Sequence, residues 1–201
     1  PKNTFFLLIS HQPCRLLPTI RSRCRILRCG LLDADDVTSA LAQADIVVNR
    51  SDALTALSGG SVGEAIRMTK LGGLALYADL IILFNGLPNF DRPHALKLAD
   101  SCTGKLGATR FALTLDLIDK FLARAARAGL QGPPTTQAAA GEALLLSKIS
   151  PHDHAARTWA AVAQEVIDRT RHGKAVNLDP AALILDTMFK IEKAAQDVAR
   201  V

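Results

Sequence analysis

The sequence predicts a mainly α-helical chain: a short strand-like segment, then a small three-helix lid, then a helical bundle. Three observations carry this expectation. Ala and Leu abound while aromatics make up only 4% of 201 residues, a balance that favours helices over strands. From Leu71 onward, apolar residues recur three and four positions apart. Only Thr4-Phe-Phe-Leu-Leu-Ile-Ser10 has the continuous apolar character of a strand buried on both faces. The expected divisions are 1–30, 31–71 and 72–201.

A strand apolar on both faces belongs inside a parallel sheet covered by helices, and no partner strands follow it. Residues 1–30 are therefore expected to be the tail of a larger α/β domain. Thr4–Ser10, with both edges unpaired, is expected to be disordered or to pair with another copy. A turn-rich link, His11 to Pro18, leads into Arg21-Ser22-Arg23-Cys24-Arg25.

The lid follows. Asp33-Ala-Asp-Asp36 sets a capping acid before Val37 and Leu41, four apart on one face. A second helix covers roughly Ser51 to Leu57 and breaks at Gly59-Gly60. Ser61-Val-Gly-Glu64 reads as a capping box opening a third helix through Lys70. Gly63 in its first turn costs about 1 kcal/mol relative to Ala.

Six helices are expected in the bundle. Leu74, Ala75, Ala78 and Ile81–Ile82 mark the first, up to Asn85-Gly86. Asp91 caps a second, which runs from Pro93 and ends at Gly104. Phe111, Leu115, Ile118, Leu122 and Ala125 form the stripe of a third, closed by Gly129. A loop at 131–136 precedes a helix over about Ala138–Lys148. Ser150-Pro151 starts a long helix that buries Trp159, Val162 and Val166 and stops at Gly173. Asp179-Pro180 starts the last, with Ile184, Met188, Ile191, Ala195 and Val198 on one face.

Composition bounds the function. A net charge of +5 permits a place near DNA without requiring one. Cys14, Cys24, Cys29 and Cys102 have no metal-ligand spacing and read as free thiols in a reducing cytosol. Leu71–Phe84, interrupted by Asp79, is too short for a membrane span, and no signal-peptide pattern is present. Gly104-Lys105-Leu106 and Gly173-Lys174-Ala175 lack the earlier Gly and the Ser or Thr of a phosphate-binding loop, so the chain is not expected to bind ATP. His152-Asp153-His154 does not put its residues on one helical face and has no further ligand in range, so no metal is expected. No G-x-S-x-G surrounds any Ser. Arg124, Arg127, Arg157, Arg169 and Arg171, mixed with acids, read as a solvated face.

The arginine cluster has three readings by charge alone: a solvated basic surface, non-specific nucleic-acid binding by Arg15, Arg21, Arg23, Arg25 and Arg28, or an arginine finger acting on a phosphoryl group held by another subunit. The wording of residues 1–25 distinguishes them. The run Arg-Leu-Leu-Pro-Thr-Ile-Arg-Ser-Arg-Cys-Arg, with its Ser-Arg-Cys triplet, resembles the end of the AAA+ module in bacterial clamp-loader subunits. The resemblance implies that Arg23 is the finger, flanked by Ser22 and Cys24, and that Ser10 occupies the sensor 1 position. Gly60-Ser61-Val62-Gly63-Glu64-Ala65-Ile66 falls where the family carries Gly-Ser-x-Arg-Asp-Ala-Leu. Gly63 thus replaces the sensor 2 arginine that contacts a subunit's own nucleotide.

The implied fold class is mainly α: the remnant of an α/β AAA+ domain (1–30), a helical lid (31–71) and a helical collar for oligomerisation (72–201). The implied role is a cytoplasmic, non-catalytic clamp-loader subunit within a replicative DNA polymerase holoenzyme. ATP would sit on neighbouring subunits and not on this chain. Its partners would be motor subunits of gamma or tau type and a delta-type subunit, with DNA and the sliding clamp reached through the complex. The alternatives are a motor ATPase of the same family or a helical DNA-binding module.

Overall fold

The computed structural model describes residues 4–104 and 107–200. The first three residues of the run that resembles the clamp-loader family, and Lys105-Leu106 of the first phosphate-loop comparison, lie outside the described residues. Ten α-helices and one 3-10 turn make up the regular structure of the described residues, with no strand among them. The mainly helical expectation therefore holds, and Thr4–Ser10, strand-like in composition, forms no strand within this chain, in keeping with its unpaired edges. Those residues carry no regular structure, and Phe5, Leu7 and Ile9 are fully exposed. A strand is held by hydrogen bonds to a neighbouring strand, and no described residue supplies one.

The chain divides into two compact units, Pro1–Gly30 and Leu31–Val201. The first contains a 3-10 turn (Pro13–Arg15) and a one-turn helix, α1 (Pro18–Arg21).

In the second unit, the Asp33 carboxylate accepts from the Asp36 N–H at 2.9 Å and opens α2 (Ala34–Gln43), which buries Val37 and Leu41. Helix α3 (Ser51–Ser58) ends at Gly59. Ser61 Oγ accepts from the Glu64 N–H at 3.4 Å and opens α4 (Val62–Leu71). Only half of the expected capping box forms. The Ser61 N–H is already given to the Ser58 carbonyl, and the Glu64 carboxylate takes Arg67 instead.

Helix α5 (Gly73–Phe84) buries Leu76, Tyr77, Leu80, Ile81, Leu83 and Phe84. The expected face was wrong in part: Ala75 and Ile82 are exposed. The helix is apolar almost all round, so periodicity cannot aim it. Helix α6 (Arg92–Asp100) follows Asp91, whose side chain makes no cap bond, and ends short of Gly104. Helix α7 (Gly107–Gln131) buries all five residues of its expected stripe. Helix α8 (Glu142–Ile149) starts later than expected. Helix α9 (Asp153–Ala175) is capped by His152, whose Nδ1 accepts from the Ala155 N–H at 3.2 Å, so Ser150-Pro151 precedes the helix and does not start it. Helix α10 (Pro180–Val198) is capped by Asp179 and buries the expected stripe.

Two glycines read as stops lie inside helices. A Cβ on Gly129 would sit 2.6 Å from the His152 carbonyl oxygen and 2.9 Å from Ala156 Cβ. Gly173 is pressed against the Leu183 side chain in the same way. Both are close-approach points between helices, and α7 and α10 pack on α9 there. One apolar cluster runs from Val37 to Ala195, with Trp159 fully buried and its indole N–H donating to the Ile149 carbonyl at 2.8 Å.

Glu142 is 0% exposed. Its carboxylate accepts from the Tyr77 hydroxyl at 2.6 Å, from Arg124 Nε at 2.5 Å and Nη2 at 3.1 Å, and from the Ala138 N–H at 2.7 Å. Arg124 also donates to the Thr136 carbonyl at 2.9 Å. Its side chain is only 10% exposed, which corrects its assignment to the solvated face: a buried carboxylate requires a buried counter-charge. Burial beside this carboxylate pushes the Tyr77 phenol well above its ordinary range. Glu142→Ala is expected to destabilise the protein by about 3–5 kcal/mol, because Arg124 would lose its buried partner. Urea denaturation checks this. Arg157→Ala, at an exposed pair, should cost at most about 0.5 kcal/mol in the same assay.

Candidate functional site

The arginine-bearing turn is built from Leu17 onward. Leu17 is extended, and Pro18 at the first helical position fixes φ for the single turn of α1. Ser22 closes the turn, with its N–H on the Pro18 carbonyl. A helix end leaves carbonyls without partners, and here two side chains converge on one of them. Arg23 Nη1 donates to the Thr19 carbonyl at 2.9 Å, and Ser22 Oγ donates to the same oxygen at 3.4 Å. Cys24 is exposed. With Phe6, Leu8, Thr19, Ile20 and Arg23 it lines an open concavity.

Arg15, Arg21, Arg23, Arg25 and Arg28 are all exposed. No Asp or Glu occurs in residues 1–32, and none of the five has an ion-pair partner among the described residues. The Thr19 contact uses one of the five N–H donors that a guanidinium carries, so Arg23 keeps most of its capacity for an anionic ligand. Ser10 is half-buried, and its hydroxyl accepts from the Gln12 N–H at 3.3 Å, which fixes the entry to the 3-10 turn. Ser22, Arg23 and Cys24 are thus brought together on one turn, while Ser10 serves its own local turn.

Gly63 lies in the other unit, in the first turn of α4. Nothing lies within 4 Å of a Cβ placed on it. Arg67, one turn further on, is engaged through Nε and Nη2. It forms a fork on Glu64 at 2.8 and 2.7 Å and reaches Asp116 on α7 at 2.5 Å. Lys120 stands 3.4 Å from Asp116 and 3.6 Å from Glu64. The Arg67 hydrogen bonds hold the Glu64 carboxyl down at about 2, against the opposing effect of its partial burial. His152 is occupied as the cap of α9, and among the described residues no group of three or more His, Cys, Asp or Glu is placed to hold a metal ion. No helix among them is long and apolar enough to cross a membrane.

Glu142 and Arg50 are among the polar residues of structural weight that escaped the sequence reading. The available signal for Glu142 was a lone acid within Ala138-Ala-Ala-Gly-Glu-Ala-Leu-Leu-Leu146. Arg50 donates to the Ala138 carbonyl at 3.0 Å, and nothing in its neighbourhood along the chain announces that contact.

The chain is similar to a protein described as DNA polymerase III subunit delta' from Pseudomonas aeruginosa. The two are 48% identical over 72 residues, which is 35% of this chain and 22% of that protein. The chain thus spans about a fifth of the length of the curated relative it matches. No protein-family model matches the chain. No solved structure matches it either. The partial match supports a delta'-like relationship.

Two predictions follow from α4. The folded-state Glu64 value of about 2 lies below the ordinary 4.5, so its contribution is complete above pH 4.5 and is lost as pH falls toward 2. Glu64→Gln should cost about 1 kcal/mol at neutral pH after solvent screening, and the difference from wild type should shrink across that window in urea titrations. Gly63 has a helical backbone and free space, so Gly63→Ala should raise stability by about 0.5–1 kcal/mol, read as an upward shift of the thermal midpoint.

Proposed function

We propose that this chain acts as a delta'-like subunit of a bacterial DNA polymerase III clamp loader. In this reading, Arg23 reaches the phosphates of ATP held by a neighbouring subunit. The similarity to the delta' subunit over 72 residues carries the proposal. The exposed Ser22-Arg23-Cys24 turn, with no acid near it in sequence, supports it. A guanidinium suits this role because it stays charged and presents a rigid fork to phosphate oxygens.

Residues 31–71 serve as the lid and 72–201 as the collar through which subunits associate. The neighbours are motor subunits of gamma or tau type and a delta-type subunit, and DNA and the sliding clamp are reached through the assembly in the cytoplasm. At position 63 a glycine has no side-chain donor for a phosphate, and Arg67 is committed to Glu64 and Asp116. Both features favour a subunit that turns over no ATP itself. Ser10 is assigned as sensor 1 by its place in the motif.

The test is ATP hydrolysis by the reconstituted complex built with the full-length protein. Arg23→Ala and Arg23→Lys should slow hydrolysis at the adjoining site on the order of 10³-fold, while the complex still elutes intact in size exclusion. Unchanged DNA-stimulated hydrolysis in the Ala variant overturns the finger assignment.

A further inference from the structure

Helices α2, α3 and α4 pack on one another, and α4 packs on α5. Few polar contacts join these three helices to the rest of their unit. Among the described residues, the side-chain hydrogen bonds and ion pairs that cross from 31–71 to 73–200 come from two places. One is Arg50, just before α3, whose Nη2 donates to the Ala138 carbonyl at 3.0 Å. The other is the Glu64–Arg67 pair of α4, which meets Asp116 and Lys120 of α7.

The covalent junction between the two parts is a single residue. Gly72 closes α4 and opens α5, with φ 69° and ψ 33°. This left-handed conformation suits glycine, and nothing lies within 4 Å of a Cβ placed there. The Gly72 N–H donates to the Thr69 carbonyl of α4 and its carbonyl accepts from the Leu76 N–H of α5, so each side of Gly72 belongs to one helix and the turn between the two falls on its own φ and ψ. Met68 packs against Gly73, so the apolar contact nearest the junction lies on the pivot itself and moves least when the parts turn.

We infer that Gly72 is a hinge, and that Arg50 and Arg67 are two latches that hold α2–α4 against the bundle. One latch alone would leave rotation about its own contact. Two latches, one at the N-terminal end of α3 and one on α4, meeting different parts of the bundle, fix an orientation. Each acceptor is itself anchored. The Ala138 N–H donates to the buried Glu142 carboxylate at 2.7 Å, so the Arg50 latch ends on the same network that holds α5, α7 and α8 together. Asp116 is steadied by Lys120 at 3.4 Å. Helices α2–α4 share one apolar cluster with the bundle, and long side chains add polar bonds across it from partly buried positions.

Amide hydrogen exchange on the whole chain, followed by mass spectrometry, tests the inference. A segment released about a hinge opens sub-globally, so its amides exchange faster while those of the remaining core do not. In Arg50→Ala/Arg67→Ala, exchange in 34–71 should rise about tenfold or more, and in α7, α9 and α10 it should stay within about twofold of wild type. Should the double variant fail to fold, Arg50→Ala alone should give a rise of about threefold confined to 34–71. Unchanged exchange in 34–71 would overturn the latches. Equal acceleration throughout the chain would show that the two arginines only add global stability, and would overturn the hinge.

Discussion

A carboxylate with no solvent exposure is the constraint around which the bundle closes. Glu142 cannot be hydrated, so its charge must be met in place. Arg124 supplies the counter-charge, and Tyr77 and the Ala138 N–H supply further donors. These groups come from α5, α7, and the segment between α7 and α8. The network therefore sets the spacing of these elements, and the loop that carries Thr136 and Ala138 is drawn onto the same point. Apolar packing alone tolerates sliding, whereas a network with defined donors accepts one arrangement. A hydrophobic replacement of all its members could be as stable, but it would specify the register of the helices less sharply.

Arginine is used in three ways, and environment separates them. Arg124 is buried and balances a buried charge. Arg67 and Arg50 bridge elements at the edge of the core. Arg92 lies beside the stacked rings of Phe90 and Phe189 and donates to Glu192 at 2.6 Å. The arginines of residues 15–28 do none of this. Their positive field has no counter-charge nearby in sequence, which makes that segment a strong attractor for anions.

Sequence was most legible where structure is local. The caps at Asp33 and Asp179 and the stripes of α7 and α10 depend on residues three or four apart, and each was found where expected. It was least legible where distant residues decide. The buried face of α5 is set by α4 together with α7 and α8, which arrive later in the chain. Gly129 and Gly173 look like helix stops along the chain and prove to be points where another helix presses close. Glu142 lies 65 residues from Tyr77 and 18 from Arg124, and no short-range pattern encodes their meeting. At the candidate site, the exposure of the turn that carries Ser22-Arg23-Cys24 was legible from the run of arginines around it. Thr4–Ser10 has the composition of a strand, but a ladder is a property of two segments.

The Arg23 contact with Thr19 works as a tether. The guanidinium donates one N–H to a backbone carbonyl of its own turn, a bond worth about 0.5–1.5 kcal/mol net, and its other donors stay open. A long side chain held in this way has spent part of its rotamer freedom before any ligand arrives, which lowers the ordering cost of binding. A charged oxygen meeting the open donors forms bonds roughly twice as strong as a neutral one does, so the turn presents a pre-positioned fork to an anion without giving up its own closure.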